Sequence, residues 1–427
     1  MALAVALACL LPLGAATAQD GGDRALLLGD LYAIADSANP RLRAAQASAR
    51  ASASQARSAT RPPDPRLQLG WMNRELPSLA PMSPIGMVQL QLMQMVPTAG
   101  KLRLAAEAAE RRAAGAEFRA QDVAWEIRAA IAAEFYDLYR AEGAVVIARD
   151  TRRLMENVVA VADAMYRVGD APQADVLAAR VEVARMTEEI VVMHAMRRVA
   201  LARLEGLVDR PIADSVVALR PMFPAVLPSL AALEAEAMQR PMLRAGDAEV
   251  AAADATRRLA QRELIPDLEI GVQYGQRGGA MGTEHMGSLM LGAAVPVFAS
   301  RRQLAMRDEA AAMHAMAAAD LRAMRAETRA RVAAAYAEWT RARDLQALYR
   351  STVLPQARAA VEAALASYRV GGVTLMALLD AQATVNRYRQ ELIALEGMEG
   401  MALADLEMLL GRALFDARHA AHTTETR

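Results

Sequence analysis

The sequence predicts a mainly helical fold with a small β part, built as two long-helix coiled-coil hairpins that carry two strands each. Three observations predict it. The same words occur twice, about 200 residues apart. Each half holds one stretch able to run as a single helix far longer than globular proteins use. Each half also holds two short runs in which apolar residues alternate with Gln, Glu or Gly, the pattern of a strand with one apolar and one polar face.

Composition narrows the function. The chain has 427 residues, with 49 basic and 49 acidic side chains. A nucleic-acid binder would carry a clustered basic excess, so no nucleic-acid partner is expected. Cys9 is the single cysteine, which removes thiolate zinc sites, structural disulfides and a cysteine nucleophile from the rest of the chain. Five histidines (His194, His285, His314, His419, His422) are scattered. No grouping of nucleophile, base and metal is found, so the chain is read as no enzyme, with no cofactor. Gly275-Gln276-Arg277-Gly278-Gly279 is not a phosphate loop, because no helix starts there and no Gly-Lys-Ser/Thr occurs.

Residues 1–18 form an apolar run ending in Ala16-Thr17-Ala18, a small-x-small cleavage signal. They are read as a signal peptide, although the usual positive start is missing. Cys9 is read as lost with it; as a lipid-bearing cysteine it would want leucine where Ala6 stands. Beyond residue 18 no stretch reaches the roughly 18 apolar residues of a membrane-spanning helix. If this exported chain spans a membrane, it does so with strands.

The duplication sets the domain plan. Tyr166-Arg167-Val168-Gly169 recurs as Tyr368-Arg369-Val370-Gly371, and Pro65-x-Leu67-x-Leu69-Gly70 as Pro266-x-Leu268-x-Ile270-Gly271. Leu204-Glu205 recurs as Leu406-Glu407. The first repeat is placed at 19–208 and the second at 229–413, with a polar tail at 414–427. Residues 209–228, with Pro211, Pro221, Pro224 and Pro228, are read as a linker or short irregular element.

Within each repeat the parts follow one order. A helix of about 35 residues (28–60 and 229–264) precedes the strands. The strand runs are 67–71 and 88–92 in the first half, and 268–274 and 289–295 in the second. Loops rich in Pro, Ser, Gly and Met are expected at 73–86 and 276–287. A very long helix follows, Lys101 to Met165, of about 100 Å. Its counterpart, 301–367, contains Pro355, which should kink it or interrupt its hydrogen bonds. After each Tyr-Arg-Val-Gly turn a heptad seam appears, with Val176, Val183, Ile190, Arg197 and Leu204 at a positions in one half. Leu378, Val385, Leu392, Glu399 and Leu406 answer them in the other. Arg197 and Glu399 each place a charge at the same seam position, where polar groups either wet the seam or set the register of neighbouring helices.

Four strands cannot close a membrane barrel, since the smallest need about eight, and an open edge in lipid leaves backbone groups unpaired. The strands must therefore be shared between chains. Three copies supply twelve strands, enough for a lumen, above a helical tube that narrows where the Tyr-Arg-Val-Gly turns gather.

This order of parts resembles the TolC-type outer-membrane efflux proteins over nearly the whole mature chain. The most specific words are residues 368–382, Tyr-Arg-Val-Gly-Gly-Val-Thr-Leu-Met-Ala-Leu-Leu-Asp-Ala-Gln, similar to the family's second tip hairpin, and Val96-Pro97-Thr98-Ala99-Gly100-Lys101, similar to its strand-to-helix junction. The junction also looks like that of members working with heavy-metal pumps. The resemblance implies a homotrimeric duct in the outer membrane with a large periplasmic α-barrel. It implies a periplasmic adaptor docked at the helical tip and an inner-membrane pump, of RND type, as supplier. The shortened word Asp170-Ala171-Pro172 in the first tip and the 25 methionines depart from the pattern. Two other functions remain open from sequence: a type I secretion duct for polypeptides, and a periplasmic coiled-coil adaptor or scaffold without membrane strands.

Three groups of candidate residues emerge. The tip turns offer Tyr166, Arg167, Val168 and Gly169, with Tyr368, Arg369, Val370 and Gly371, to an adaptor; the plain alternative is that the glycines only end helices. Asp170, Asp175 and Asp380 lie at or beyond these turns and are candidates for a carboxylate ring at the aperture, against helix capping. Met72, Met82, Met87, Met93 and Met95 crowd the first strand pair; Met281, Met286 and Met290 crowd the second, with His285 alongside. Thioethers suit soft ions such as Cu(I) and Ag(I), so Met72, Met82, Met87, His285 and Met286 are weak metal candidates. Methionine also fills coiled-coil gaps, the reading preferred for the Met-His-Ala-Met words at 193–196 and 313–316. His419 and His422 offer at most an adventitious metal site.

Overall fold

The computed structural model describes residues 24–82, 85–279, 282–299 and 301–418. The leader with Cys9, and Met281, His419 and His422, lie outside the described residues. In chain order the first half comprises β1 (Arg24–Leu26), α1 (Leu28–Ala38), α2 (Pro40–Ala59), β2 (Arg66–Met72), β3 (Met87–Val96), α3 (Lys101–Val168) and α4 (Gln173–Val208). After β4 (Val216–Ala218), the second half comprises α5 (Leu230–Ala237), α6 (Pro241–Arg262), β5 (Leu268–Gly279), β6 (Gly282–Ala293), α7 (Gln303–Leu348), α8 (Leu354–Arg369) and α9 (Leu375–Leu410).

The central column is α3, 68 residues without a break and about 100 Å long. It begins after Gly100 and ends at Gly169, both with positive φ (72° and 87°). Its counterpart is interrupted where Pro355 predicts. A π-helical turn, Tyr349–Val353, separates α7 from α8, because proline offers no N–H to the preceding turn and its ring crowds the carbonyl there. No described helix is long and apolar enough to cross a membrane.

Four sequence expectations need correction. The single helix before each strand pair is two helices, broken at Asn39-Pro40 and at Arg240-Pro241. Proline stands at the first position of α2 and α6, where a missing N–H costs nothing. The Asn39 side chain accepts from the Arg41 and Leu42 amides to cap α2. The loop expected at 276–287 is mostly strand: β5 and β6 pair in register from Leu268↔Ala293 to Gly279↔Gly282. The linker at 209–228 is not irregular throughout, since β4 pairs in parallel with β1. The tail is not free from residue 414: Leu414 and Phe415 pack on the second core cluster, and the Gly29 amide donates to the Ala417 carbonyl.

Both seam charges turn out to hold the linker. Arg197 donates to Glu142 on α3 (3.0 Å), to the Asp214 carboxylate (2.5 Å) and to the Val216 carbonyl (2.7 Å). Glu399 accepts from Arg220 (2.8 Å) and from Gln346 on α7 (2.9 Å). Each therefore ties a seam helix to a neighbouring helix and to the 209–228 segment, which is the registering role rather than a wetted gap.

Apolar burial clusters at two levels. The equatorial level joins Leu28, Ile131, Phe135, Leu138 and Leu204 to Leu233, Val332, Trp339, Leu403 and Leu406. The tip level joins Met155, Val176, Val361 and Leu378. The Tyr136 ring lies against a notch in α9, where a Cβ on Gly400 would sit 2.1 Å from its Cζ. Only glycine fits there.

The elements lie side by side in a fixed order. The sheet order is β2-β3-β5-β6, all antiparallel. Beside the sheet the helices run α2-α3-α6-α7, and toward the tip α4-α3-α9, with α7 and α8 on the far side of α9. Along the sheet and the helices beside it, one flank is thus β2 and α2 and the other β6 and α7; at the tip α4 and α8 meet in one core cluster.

Candidate functional site

The registers sort the sheet into two faces. One face carries Leu67, Leu69 and Trp71 of β2, Leu90 and Leu92 of β3, Ile270, Val272 and Tyr274 of β5, and Leu289 and Leu291 of β6. These side chains are exposed: Leu69 at 56%, Trp71 at 60% and Leu291 at 77%. So much bare hydrocarbon on one surface fits contact with an apolar medium. The other face carries Gln68, Gln89, Gln91, Gln273, Glu269, Arg277 and Glu284. There Gln273 donates to Gln89 (2.5 Å) and Arg277 to Glu284 (2.7 Å). Alternation with period two produces both faces from one strand.

The sheet is joined to the helices by a buried cation. Lys101, at the start of α3, donates to the Ile265 carbonyl (2.7 Å) and pairs with Asp267 (2.9 Å). Asp267 also accepts from the Thr98 amide (2.9 Å). The junction word of the first repeat is thereby clasped to the strand entrance of the second.

At the opposite end the two turns close alike. The Gly169 amide donates to the Tyr166 carbonyl and the Asp170 amide to that of Met165; the Gly371 and Gly372 amides donate to Tyr368 and Ser367. Gly371 has a φ of 72°, so left-handed glycine ends both helices. Arg167, Val168, Arg369 and Val370 are exposed around them.

The residues matched by the outer membrane efflux protein family model are 31–208 and 232–412. The chain belongs to that family. Solved structures agree on the fold. CusC matches with a TM-score of 0.76 at 18% identity, covering 93% of this chain and 96% of that one. VceC from Vibrio cholerae matches at 0.76 and 20%, covering 90% and 96%. The open-state MtrE channel of Neisseria gonorrhoeae matches at 0.76 and 17%, covering 96% and 95%. No curated protein matches the chain. This member of the outer membrane efflux protein family is therefore an outer-membrane channel component rather than an enzyme, and the soluble adaptor or scaffold reading is set aside.

The structure regroups the sequence candidates of this efflux protein. Tyr166 is 45% exposed but Tyr368 only 2%, so Tyr368 cannot serve as a docking residue. Instead its hydroxyl donates to Asp175 on α4 (3.2 Å), joining the two hairpins. Burial, with the Asp175 charge and hydrogen bond behind it, pushes the Tyr368 pKa up to about 12. Asp170 and Asp380 are exposed and Asp175 is half-buried. Neither Asp170 nor Asp175 caps α4, because Pro172 occupies that position and no side chain bonds there. Asp380 lies on the face of α9 opposite buried Leu378 and Gln382. Of the metal candidates, Met72, Met87 and Met286 share the polar face of the sheet. Met82 lies outside the strands. His285 falls on the apolar face, where its Nδ1 meets the Tyr274 hydroxyl at 2.5 Å. His285 and Met82 therefore leave the cluster.

Two features had no clear sequence signal. Arg240 and Asp122 form a buried bidentate pair, both bonds 2.9 Å. Glu407 is buried and accepts from the Leu414 (2.6 Å) and Phe415 (3.4 Å) amides. Loss of water holds its pKa up at about 7 despite those bonds and the nearby Arg128 and Arg412. Its repeat partner Glu205 accepts from the Ile212 amide (2.8 Å), so each half ends its last helix by the same clasp.

Proposed function

We propose that three copies close around one axis into an exit duct, conducting substrate outward from an inner-membrane RND-type pump delivered through a periplasmic adaptor. The observation that carries this is the unlike flanks of the array. β2 and β6 each have one unpaired edge, and a bare edge in lipid is costly. The flanks differ, so copies join head to tail, and such contacts close into a ring. Twelve strands leave an aqueous lumen, with the Gln-rich face inward and the Leu-rich face toward lipid. Leu177, Val181, Val191, Met196 and Val199 stand exposed on α4, as a surface awaiting a neighbour would have them.

At the tip, Tyr166, Arg167, Val168 and Gly169 with Arg369, Val370 and Gly371 form the adaptor-docking surface. Asp175 and Tyr368 hold the two hairpins together beside the aperture, where Asp170 and Asp380 add exposed carboxylates. Arg369→Glu is expected to leave trimer and membrane insertion intact and abolish efflux; normal efflux in cells carrying it would remove the tip from the docking role. The cargo is narrowed by the lumen face.

A further inference from the structure

The polar face of the sheet carries an unexpected side chain. Met72, Met87, Met93, Met95, Met286 and Met290 all fall on it by register, and no strand methionine among the described residues falls on the apolar face. Hydrophobicity alone would place methionine toward lipid, beside Leu67 and Leu291. Six on the water-facing side point to a use for the sulfur.

Five of the six form two tiers, with Met95 beyond the second, opposite Glu269. In the first, Met72 stands opposite Met87, and Met286 opposite Gly275. Met87 leans over that glycine: a Cβ there would lie 2.7 Å from its Sδ. In the second, Met93 and Met290 approach each other over Gly271, whose Cβ would lie 3.1 Å from Met93 Cγ and 3.4 Å from Met290 Cε. Gly271 and Gly275 thus clear the floor on which thioethers from neighbouring strands converge. Gln91, Gln273 and Ser288 lie between the tiers, whose Met286 and Met290 stand roughly 13 Å apart along β6. The Gln91 amide also reaches Met290 Sδ at 3.9 Å.

We propose that these tiers bind soft monovalent cations, Cu(I) or Ag(I), in passage through the lumen. Neutral thioethers are soft ligands that hold such ions without a thiolate or carboxylate cage and leave hard cations in water. Uncharged ligands bind weakly enough to let an ion step from one tier to the next, as conduction requires. The proposal rests on the duct reading, because it needs this face to line the pore.

The test is single-channel current through the protein in planar bilayers, which carries no thiol once Cys9 is lost with the leader. Silver nitrate in chloride-free buffer supplies the probe. Micromolar Ag(I) is expected to lower the current, and zinc nitrate at the same concentration to leave it unchanged. Met87→Leu with Met286→Leu keeps the volume and is expected to weaken the Ag(I) effect by about tenfold or more. His285→Gln, on the opposite face, is expected to leave it intact. A steady current indifferent to Ag(I), or equal sensitivity in the double-leucine variant, overturns the proposal alone. Failure of the protein to form any closed pore overturns the duct reading beneath it.

Discussion

The two halves of the chain contain the same parts and put them to unlike uses. At the entry to the second helix of each half stand Asn39-Pro40 and Arg240-Pro241. Asn39 turns inward to cap its own helix and donates to the Leu207 carbonyl. Arg240 reaches across to Asp122 of α3 and forms a buried ion pair. At the tip Tyr166 is exposed while Tyr368 is buried against Asp175. The long helix of the first half is continuous, whereas that of the second is broken by a π turn. Duplication supplied the scaffold, and the departures from symmetry are where one half grips the other.

Removing those grips should have graded effects. Arg240→Ala leaves Asp122 buried without its partner and is expected to cost about 3–5 kcal/mol in thermal or denaturant unfolding. Asn39→Ala, at the matching position, removes a cap and one hydrogen bond to the Leu207 carbonyl but leaves no buried charge, and should cost about 1–2 kcal/mol. Equal losses would mean that the two breaks are equivalent after all.

Next in size is the pH dependence at Glu407. Its folded-state pKa, about 7, lies above the ordinary glutamate value of 4.5. Stability from this group is therefore full below about pH 4.5 and is lost as pH rises through 7, a change of the order of 3 kcal/mol. Glu407→Gln keeps an acceptor for the Leu414 and Phe415 amides and should flatten the decline in melting temperature between pH 4.5 and 7. An unchanged decline would assign it to other groups.

The smallest effect on stability concerns the tips. Tyr368→Phe removes one half-buried hydrogen bond and should cost at most about 1 kcal/mol, yet raise the resting conductance by freeing α8 from α4. Tyr166→Phe, at the exposed counterpart, should change neither quantity. Identical conductance in both variants would place the constriction elsewhere.

What could be read in the sequence was whatever obeys a period. The strand alternation at 67–71 and 268–274, the heptads of α4 and α9 and the length of α3 all follow from side-chain repeats. The terminal glycines at 169 and 371 and the interruption near Pro355 follow from backbone sterics. What escaped depends on distant partners. The 276–287 stretch reads as a loop because glycine and polar residues dominate it, yet cross-strand pairing to Met286, Glu284 and Thr283 makes it a strand. Asp122 sits in α3 as an ordinary helix charge until Arg240, far along the chain, arrives beside it. Of the candidate site, the exposed tip residues were legible. The burial of Tyr368 was not, since it depends on Asp175 of the other hairpin, and neither was the separation of His285 from Met286 onto opposite faces, which follows only once their segment is strand.

The duct requires ring closure by unlike edges. Native mass spectrometry of the detergent-solubilised protein, paired with bilayer recording of the same sample, measures it directly. The predicted result is a particle of three chains that conducts as one pore. A single chain that conducts, or an open-ended series of oligomers with no closed species, would contradict it.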